Sequence, residues 1–263
     1  MNLIDTHSHL YDEAFDEDRD DALARAADEG VDAMLLPAVD SESHDALFDL
    51  CRRHPARCLP MMGLHPTSVN DNPRFREELD AVERYLAQPP EGIAKFYGVG
   101  EIGIDLYWSG EYYPQQREAF EAQVEMALKY GLPIAVHTRS AWAEMGRVLE
   151  QYRGRGLRGV MHAYSGDYAD YERVSKCGDF MLGIGGVVTY KKSDLPELLA
   201  KIPTERIVLE TDCPYLTPVP FRGKRNESAY LTYICKRVAE IYGMEPEQIA
   251  DQTTRNARQM FGF

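Results

Sequence analysis

Short runs rich in Val, Ile, Leu and Met alternate with amphipathic stretches along the whole chain. The apolar runs read as eight strands: "LIDTHSH" (3–9), "DAMLLPAV" (32–39), "CLPMMGLHP" (58–66), "FYGVGEIGID" (96–105), "PIAVHTR" (133–139), "GVMHAYSG" (159–166), "DFMLGIGGVV" (179–188) and "RIVLETD" (206–212). Between them lie segments of helical period. "DEDRDDALARAADEG" stops at Gly30, and "PQQREAFEAQVEMALKYG" starts on Pro114 and stops at Gly131. Proline suits a first helical turn, where its missing N–H is not needed, and glycine suits the left-handed residue that ends a helix. "MEPEQIADQTTRNARQMFGF" predicts one further helix. Near-continuous apolar strands separated by helices are what a parallel sheet with both faces covered requires. The repeat therefore predicts an α/β fold, a TIM (β/α)8 barrel forming a single domain over 1–263, with an open doubly wound sheet as the alternative. A chain of 263 residues fits one barrel, and no linker interrupts it.

The polar residues that interrupt the apolar runs carry the chemistry. In a strand, residues i, i+2 and i+4 share a face, so Asp5, His7 and His9 are expected to project together. A solvated edge strand would account for one such residue; two imidazoles directly after the apolar Leu3-Ile4 pair point to a metal site. His65, Glu101, His137, His162 and Asp212 fall toward the C-terminal ends of strands 3, 4, 5, 6 and 8. Each alone is compatible with a satisfied core group or a helix cap. In a barrel, however, the C-terminal ends of all strands converge on the active-site face, so together they predict one mouth lined by histidines and carboxylates. Such donors suit two divalent ions, zinc, manganese and iron alike. His44 and His54 lie in helical or loop stretches and are expected at the surface.

The ordered motifs "DTHSH", "GLHP", "GEIGID", "VHTR", "HAYSG" and "ETDCPYL" resemble the TatD family of metal-dependent deoxyribonucleases, a branch of the amidohydrolase superfamily of TIM barrels. The resemblance runs from Asp5 to the closing "NARQMFGF". It implies that His7, His9, Glu101, His137, His162 and Asp212 ligate two divalent ions (zinc, magnesium or manganese), with Glu101 bridging them. It also implies a phosphate or substrate contact for His65, and matches "PVPFRGKRN" to the basic loop after the last strand. Tyr164 stands where the family more often has Phe, and Ser228 follows "NE" where Pro is common. The chemistry is consistent with this. Lys95, at the start of strand 4, lies on the wrong face to bridge metals as a carboxylated lysine, whereas Glu101 can do so unmodified. Asp212, bound to one ion beside the attacking water, is the expected general base.

Charge narrows the substrate. Forty-three acids against 29 bases give a formal charge of −14, which excludes the broad basic surface of a protein that grips long nucleic acid. A phosphate substrate must be held locally. Arg222, Lys224 and Arg225 in "FRGKRN", and Lys191 and Lys192 beside Tyr190, fall in loops of the C-terminal face; "RGRGLRG" (153–159) falls on the opposite face. Tyr107, Trp108, Tyr112, Tyr113, Tyr164, Tyr215 and Phe221 offer rings for unpaired bases. Arg222, Lys224 and Tyr164 are the expected substrate contacts, with Asp212, Glu101 and His65 catalytic. The predicted activity is trimming of single-stranded DNA or DNA ends. An amidohydrolase or esterase acting on a small molecule or an aminoacyl ester is the alternative, and a binding protein that retains its metals is a third. No protein partner or membrane segment is indicated, and five cysteines without a CxxC pair fit a reducing cytoplasm.

Overall fold

The computed structural model describes Met1–Phe263. Eight strands alternate with helices in the predicted order: β1 (Leu3–Asp5), β2 (Val31–Pro37), β3 (Cys58–Met61), β4 (Val99–Asp105), β5 (Ile134–Arg139), β6 (Arg158–Met161), β7 (Asp179–Ile184) and β8 (Ile207–Leu209). The chain divides into two compact units. One comprises Met1–Leu36, His54–Leu59 and Met181–Phe263; the other comprises Pro37–Arg53 and Pro60–Phe180.

In the first unit β1 pairs in parallel with β2, with Ile4 opposite Ala33 and Asp5 opposite Met34. β7 pairs in parallel with β8, Ile184 lying opposite Leu209. The Thr6 N–H donates to the Leu209 carbonyl at 3.0 Å and so ties β8 to the end of β1. Met34, Leu35, Leu36, Ile207 and Val208 are fully buried, although they alternate between the two faces of their strands. Both faces of the sheet are therefore covered, as parallel strands demand.

In the second unit β4 pairs with β5 and β5 with β6, again in parallel, Gly103 lying opposite His137 and Val136 opposite Met161. Every residue of β4 is buried. A Cβ at Gly103 would collide with the His137 carbonyl oxygen, so glycine is what lets β4 approach β5 this closely. The helix Tyr113–Tyr130 places Pro114 in its first turn and ends on left-handed Gly131 at φ 66°, as the sequence predicts. The final helix spans Pro246–Phe261. No helix is long and apolar enough to cross a membrane.

The strands stop earlier than their apolar patterns suggest. β1 ends at Asp5 because the Asp5 carboxylate accepts hydrogen bonds from the His7 and Thr211 backbone N–H groups and from the Thr211 hydroxyl. A side chain that captures nearby backbone competes with the ladder and turns the chain out of the sheet. Asp5 lies fully buried, with its carboxylate taken up by the His7 and Thr211 groups. His65, His162 and Asp212 likewise lie just beyond β3, β6 and β8.

Candidate metal centre

Two clusters of donors stand at the C-terminal ends of the strands, one in each unit. In the first unit His7 Nε2 and His9 Nε2 are 3.2 Å apart, and the Asp212 carboxylate lies 3.8 Å and 3.5 Å from them. Both imidazoles are buried, and one ligand atom from each of the three residues falls within a 4.8 Å group. The rings are held from behind: His9 Nδ1 is 3.0 Å from the Tyr11 hydroxyl, and Asp5 fixes the backbone of His7. Burial pushes the Asp5 carboxyl up to about 7, even though hydrogen bonds from Thr211, Ser228 and His7 oppose the shift. Asp212 sits in the left-handed region at φ 58°, its N–H donating to the His7 carbonyl at 2.9 Å. Asn226 secures this turn by donating to the Thr211 and Tyr215 carbonyls at 2.8 Å and 2.6 Å.

In the second unit Glu101 Oε1 lies 2.8 Å from His137 Nδ1, 3.4 Å from His65 Nε2 and 3.7 Å from His162 Nε2. Asp105, which the sequence reading passed over as a strand residue, holds the other side of the His137 ring, with Oδ2 3.0 Å from Nε2. Burial alone would lower the pKa of this imidazole, but the Asp105 and Glu101 carboxylates outweigh burial and raise it to about 9. The Asp105 carboxyl moves the opposite way: burial raises its pKa, and hydrogen bonds from His137 and the Tyr107 N–H bring it below its usual value. Without a metal, the His137 ring is therefore an imidazolium that donates to two carboxylates at neutral pH. His65 has a different arrangement. Its Nδ1 accepts the Thr67 N–H at 3.2 Å and caps the short helix Pro66–Val69. A neutral ring that accepts at Nδ1 carries its proton on Nε2, so His65 presents a donor toward Glu101 rather than a free lone pair.

Buried imidazole and carboxylate atoms gathered at 3–4 Å, with outer partners such as Tyr11 and Asp105 on the far side of the rings, are a donor set suited to divalent ions. All six expected ligands thus fall into the two clusters: His7, His9 and Asp212 in the first unit, and Glu101, His137 and His162 in the second.

The expected substrate residues divide. Arg222 and Lys224 are exposed, the Arg222 guanidinium lying 4.2 Å from the centre of the Tyr190 ring. Arg225 is occupied: it donates to both Asp18 oxygens at 2.6 Å and 2.8 Å and stacks over Phe15. Hydrogen bonds from Arg225 and then Arg25 hold the Asp18 carboxyl well below the usual carboxylate range. Tyr164 offers no ring for stacking, because it is buried against Trp142 and donates its hydroxyl to the Asp167 carbonyl at 2.7 Å. The expectation that His44 lies at the surface is also corrected. The residue is buried, stacked on Phe48 and edge-on to Tyr85.

Solved structures identify the architecture. The crystal structure of YJJV, a TatD homolog from Escherichia coli K12, matches with a TM-score of 0.88 at 26% identity, over 99% of this chain and 98% of that one. A mutant organophosphorus hydrolase shares the fold at a TM-score of 0.66 and 13% identity, over 99% of this chain and 92% of that one. The fold is a TIM (β/α)8 barrel, and with its donors gathered beyond the strand ends the protein is a metal-dependent hydrolase of that class. A family model for TatD related DNase matches residues 4–262, and the chain belongs to this family. The uncharacterized metal-dependent hydrolase YabD of Bacillus subtilis is 34% identical over 260 residues, covering 98% of each chain. The 3'-5' ssDNA/RNA exonuclease TatD of Erwinia tasmaniensis is 31% identical over 267 residues, covering 99% of this chain and 100% of that one.

Proposed function

We propose that this chain, acting as one hydrolase over its whole length in the cytoplasm, cleaves phosphodiester bonds of single-stranded nucleic acid from an end, with the donor clusters binding two divalent ions. One observation carries the reading. Asp212 and the exposed Arg222 and Lys224 lie on the same segment following β8, so a carboxylate beside paired imidazoles and two phosphate-binding cations belong to one loop. The names of relatives such as the 3'-5' ssDNA/RNA exonuclease support both substrate and direction. The donors favour zinc or manganese over magnesium, which prefers oxygen ligands.

Such an ion supplies Lewis acidity: it acidifies water and offsets charge growing on a phosphoryl oxygen. Asp212 takes the proton of the attacking water, Arg222 and Lys224 neutralise substrate phosphates, and His65 offers its Nε2–H as a hydrogen-bond donor. Few cations take part in an otherwise acidic protein, so binding is local and suits a flexible end. Digestion of a 5'-labelled single strand, a 3'-blocked copy and a closed circle tests this. Stepwise trimming of the free strand alone is expected. Rapid cutting of the circle would overturn the end-dependent mode, and hydrolysis of amides or carboxylic esters with oligonucleotides left untouched would overturn the nuclease reading.

A further inference from the structure

Trp108 is 74% exposed, more than any other large hydrophobic side chain, and its neighbour Tyr107 is 54% exposed. Scattered apolar residues at a surface need no explanation, but these two rings pack on each other and have a cation at their base. The Tyr107 and Trp108 rings meet edge to face with centroids 4.8 Å apart. The Arg139 guanidinium lies 3.7 Å from the Tyr107 ring centre and 5.9 Å from that of Trp108. Backbone contacts hold Tyr107 and Arg139. Asp105 pairs with Arg139 across β4 and β5, the Leu106 N–H donates to the Arg139 carbonyl at 3.0 Å, and the Tyr107 N–H donates to Asp105 Oδ1 at 2.9 Å. The same Asp105 carboxylate holds His137 through its other oxygen, so the aromatic pair starts two residues from a group that contacts a candidate metal ligand.

We infer that Trp108, with Tyr107 and Arg139 beneath it, is a binding platform for one unpaired nucleobase and its adjoining phosphate; this rests on the nuclease reading above. An indole stacks on any base without reading its sequence, and a guanidinium beside it takes the phosphate. The two rings lie against each other, so together they present a larger apolar face than either alone. Two side chains flanked by Ser109, Gly110 and Glu111 are too small and too polar a patch to dock a folded protein.

The chain has two tryptophans, so Trp142→Phe leaves Trp108 as the sole indole reporter. The metal-loaded full-length protein is titrated with a phosphorothioate oligothymidylate, which resists hydrolysis, and with an abasic oligomer of equal length. The base-bearing strand should quench the indole and the abasic strand should not. Trp108→Ala should weaken binding by about tenfold, within the roughly 5- to 150-fold that one base stack represents. Trp108→Phe should recover most of that affinity, and Arg139→Gln should weaken the base-bearing and abasic strands alike. Equal affinity of Trp108→Ala and the parent, or equal quenching by the abasic strand, overturns the platform even if oligonucleotides are hydrolysed. A blue-shifted response to phosphatidylserine vesicles without any response to oligomers would assign the pair to a membrane instead. If the parent neither binds nor hydrolyses any oligonucleotide, the nuclease reading itself fails.

Discussion

Replacing Asp105 by Asn tests whether a residue outside the six expected ligands sets the strength of metal binding. The substitution is nearly isosteric, and the site is over-determined. The Asp105 N–H donates to Gln116 Oε1 at 2.8 Å, and the Asp105 carbonyl accepts from Gln116 Nε2 at 2.9 Å; Gln116 also donates to Asn70. The backbone should therefore hold, and only the group facing His137 Nε2 changes. With a carboxylate there, Nε2 keeps its proton, and Nδ1, whose proton now faces Glu101 at 2.8 Å, is the atom that would give up its proton and offer a lone pair to an ion. With an amide, two outcomes follow. An NH2 facing Nε2–H sets donor against donor and drives the ring to protonate Nδ1, which removes the lone pair. A carbonyl facing Nε2–H preserves the tautomer, but the loss of negative charge lowers the basicity of the ligand. Either way the expected loss is about 10- to 100-fold in metal affinity, or roughly 1.4–2.7 kcal/mol at 1.4 kcal/mol per tenfold. Competition with a fluorescent chelator for zinc or manganese measures it directly, and the melting temperature of the metal-free variant checks the fold. An affinity within twofold of the parent, in a variant that melts normally, would refute the argument that Asp105 orients His137.

Asp212→Asn should lose on the order of 10²–10⁴ in turnover while retaining the fold, because an amide offers the ion an oxygen but takes no proton; steady-state rates against circular dichroism test this. Metal binding should release protons, since an ion replaces the Nδ1 proton of a His137 imidazolium whose pKa is about 9. Affinity should therefore rise as pH climbs toward 9, and calorimetry in buffers of different ionisation enthalpy counts the protons. Arg222→Ala with Lys224→Ala should make the slope of log affinity against log salt shallower by up to about 1.4, at about 0.7 per phosphate contact. Arg225→Ala should leave that slope alone and instead lower stability by about 1 kcal/mol, seen as roughly 2–4 °C in Tm. His44 has a pKa lowered from 6.5 chiefly by burial, so the folded state resists a proton that the unfolded chain accepts. Its stabilising effect is complete above 6.5 and is lost as pH falls toward the folded value; His44→Leu should flatten the decline in melting temperature between pH 7 and pH 5.

What was legible in the sequence was local or periodic. Apolar runs, Pro114 and Gly131 punctuate helices and strands through the conformations of single residues, so order and fold class could be read directly. The residues of the two donor clusters could be picked out because each interrupts an apolar run toward the same end of its strand. What escaped depends on contacts distant in sequence. Asp105 closes the "GEIGID" run as any strand residue would, and its role exists only because the His137 ring, 32 positions later, reaches its carboxylate from the neighbouring strand. Arg225 looked like a free cation because Asp18, which neutralises it, is 207 positions away. Tyr164 looked available for stacking, but the chain turns at Ala163, φ 43°, and carries the ring inward onto Trp142. His44 sits in a polar helical stretch whose inward side is completed by Tyr85 from another helix.

The division of the chain has a consequence for biosynthesis. The second unit is contiguous but for one excursion and is fully translated once Phe180 has emerged. The first unit is built from both ends of the chain, and His7 and His9 meet Asp212 only after more than three quarters of the protein has left the ribosome. Its floor is equally late, because Asp5 is bound by Thr211, 206 positions onward. A nascent or truncated chain that stops before β8 can therefore offer an ion the Glu101 cluster but never the His7 cluster. During synthesis the two imidazoles near the N-terminus are without their carboxylate, so the three-donor cluster exists only in chains that extend past Asp212 and not in any folding intermediate that precedes it.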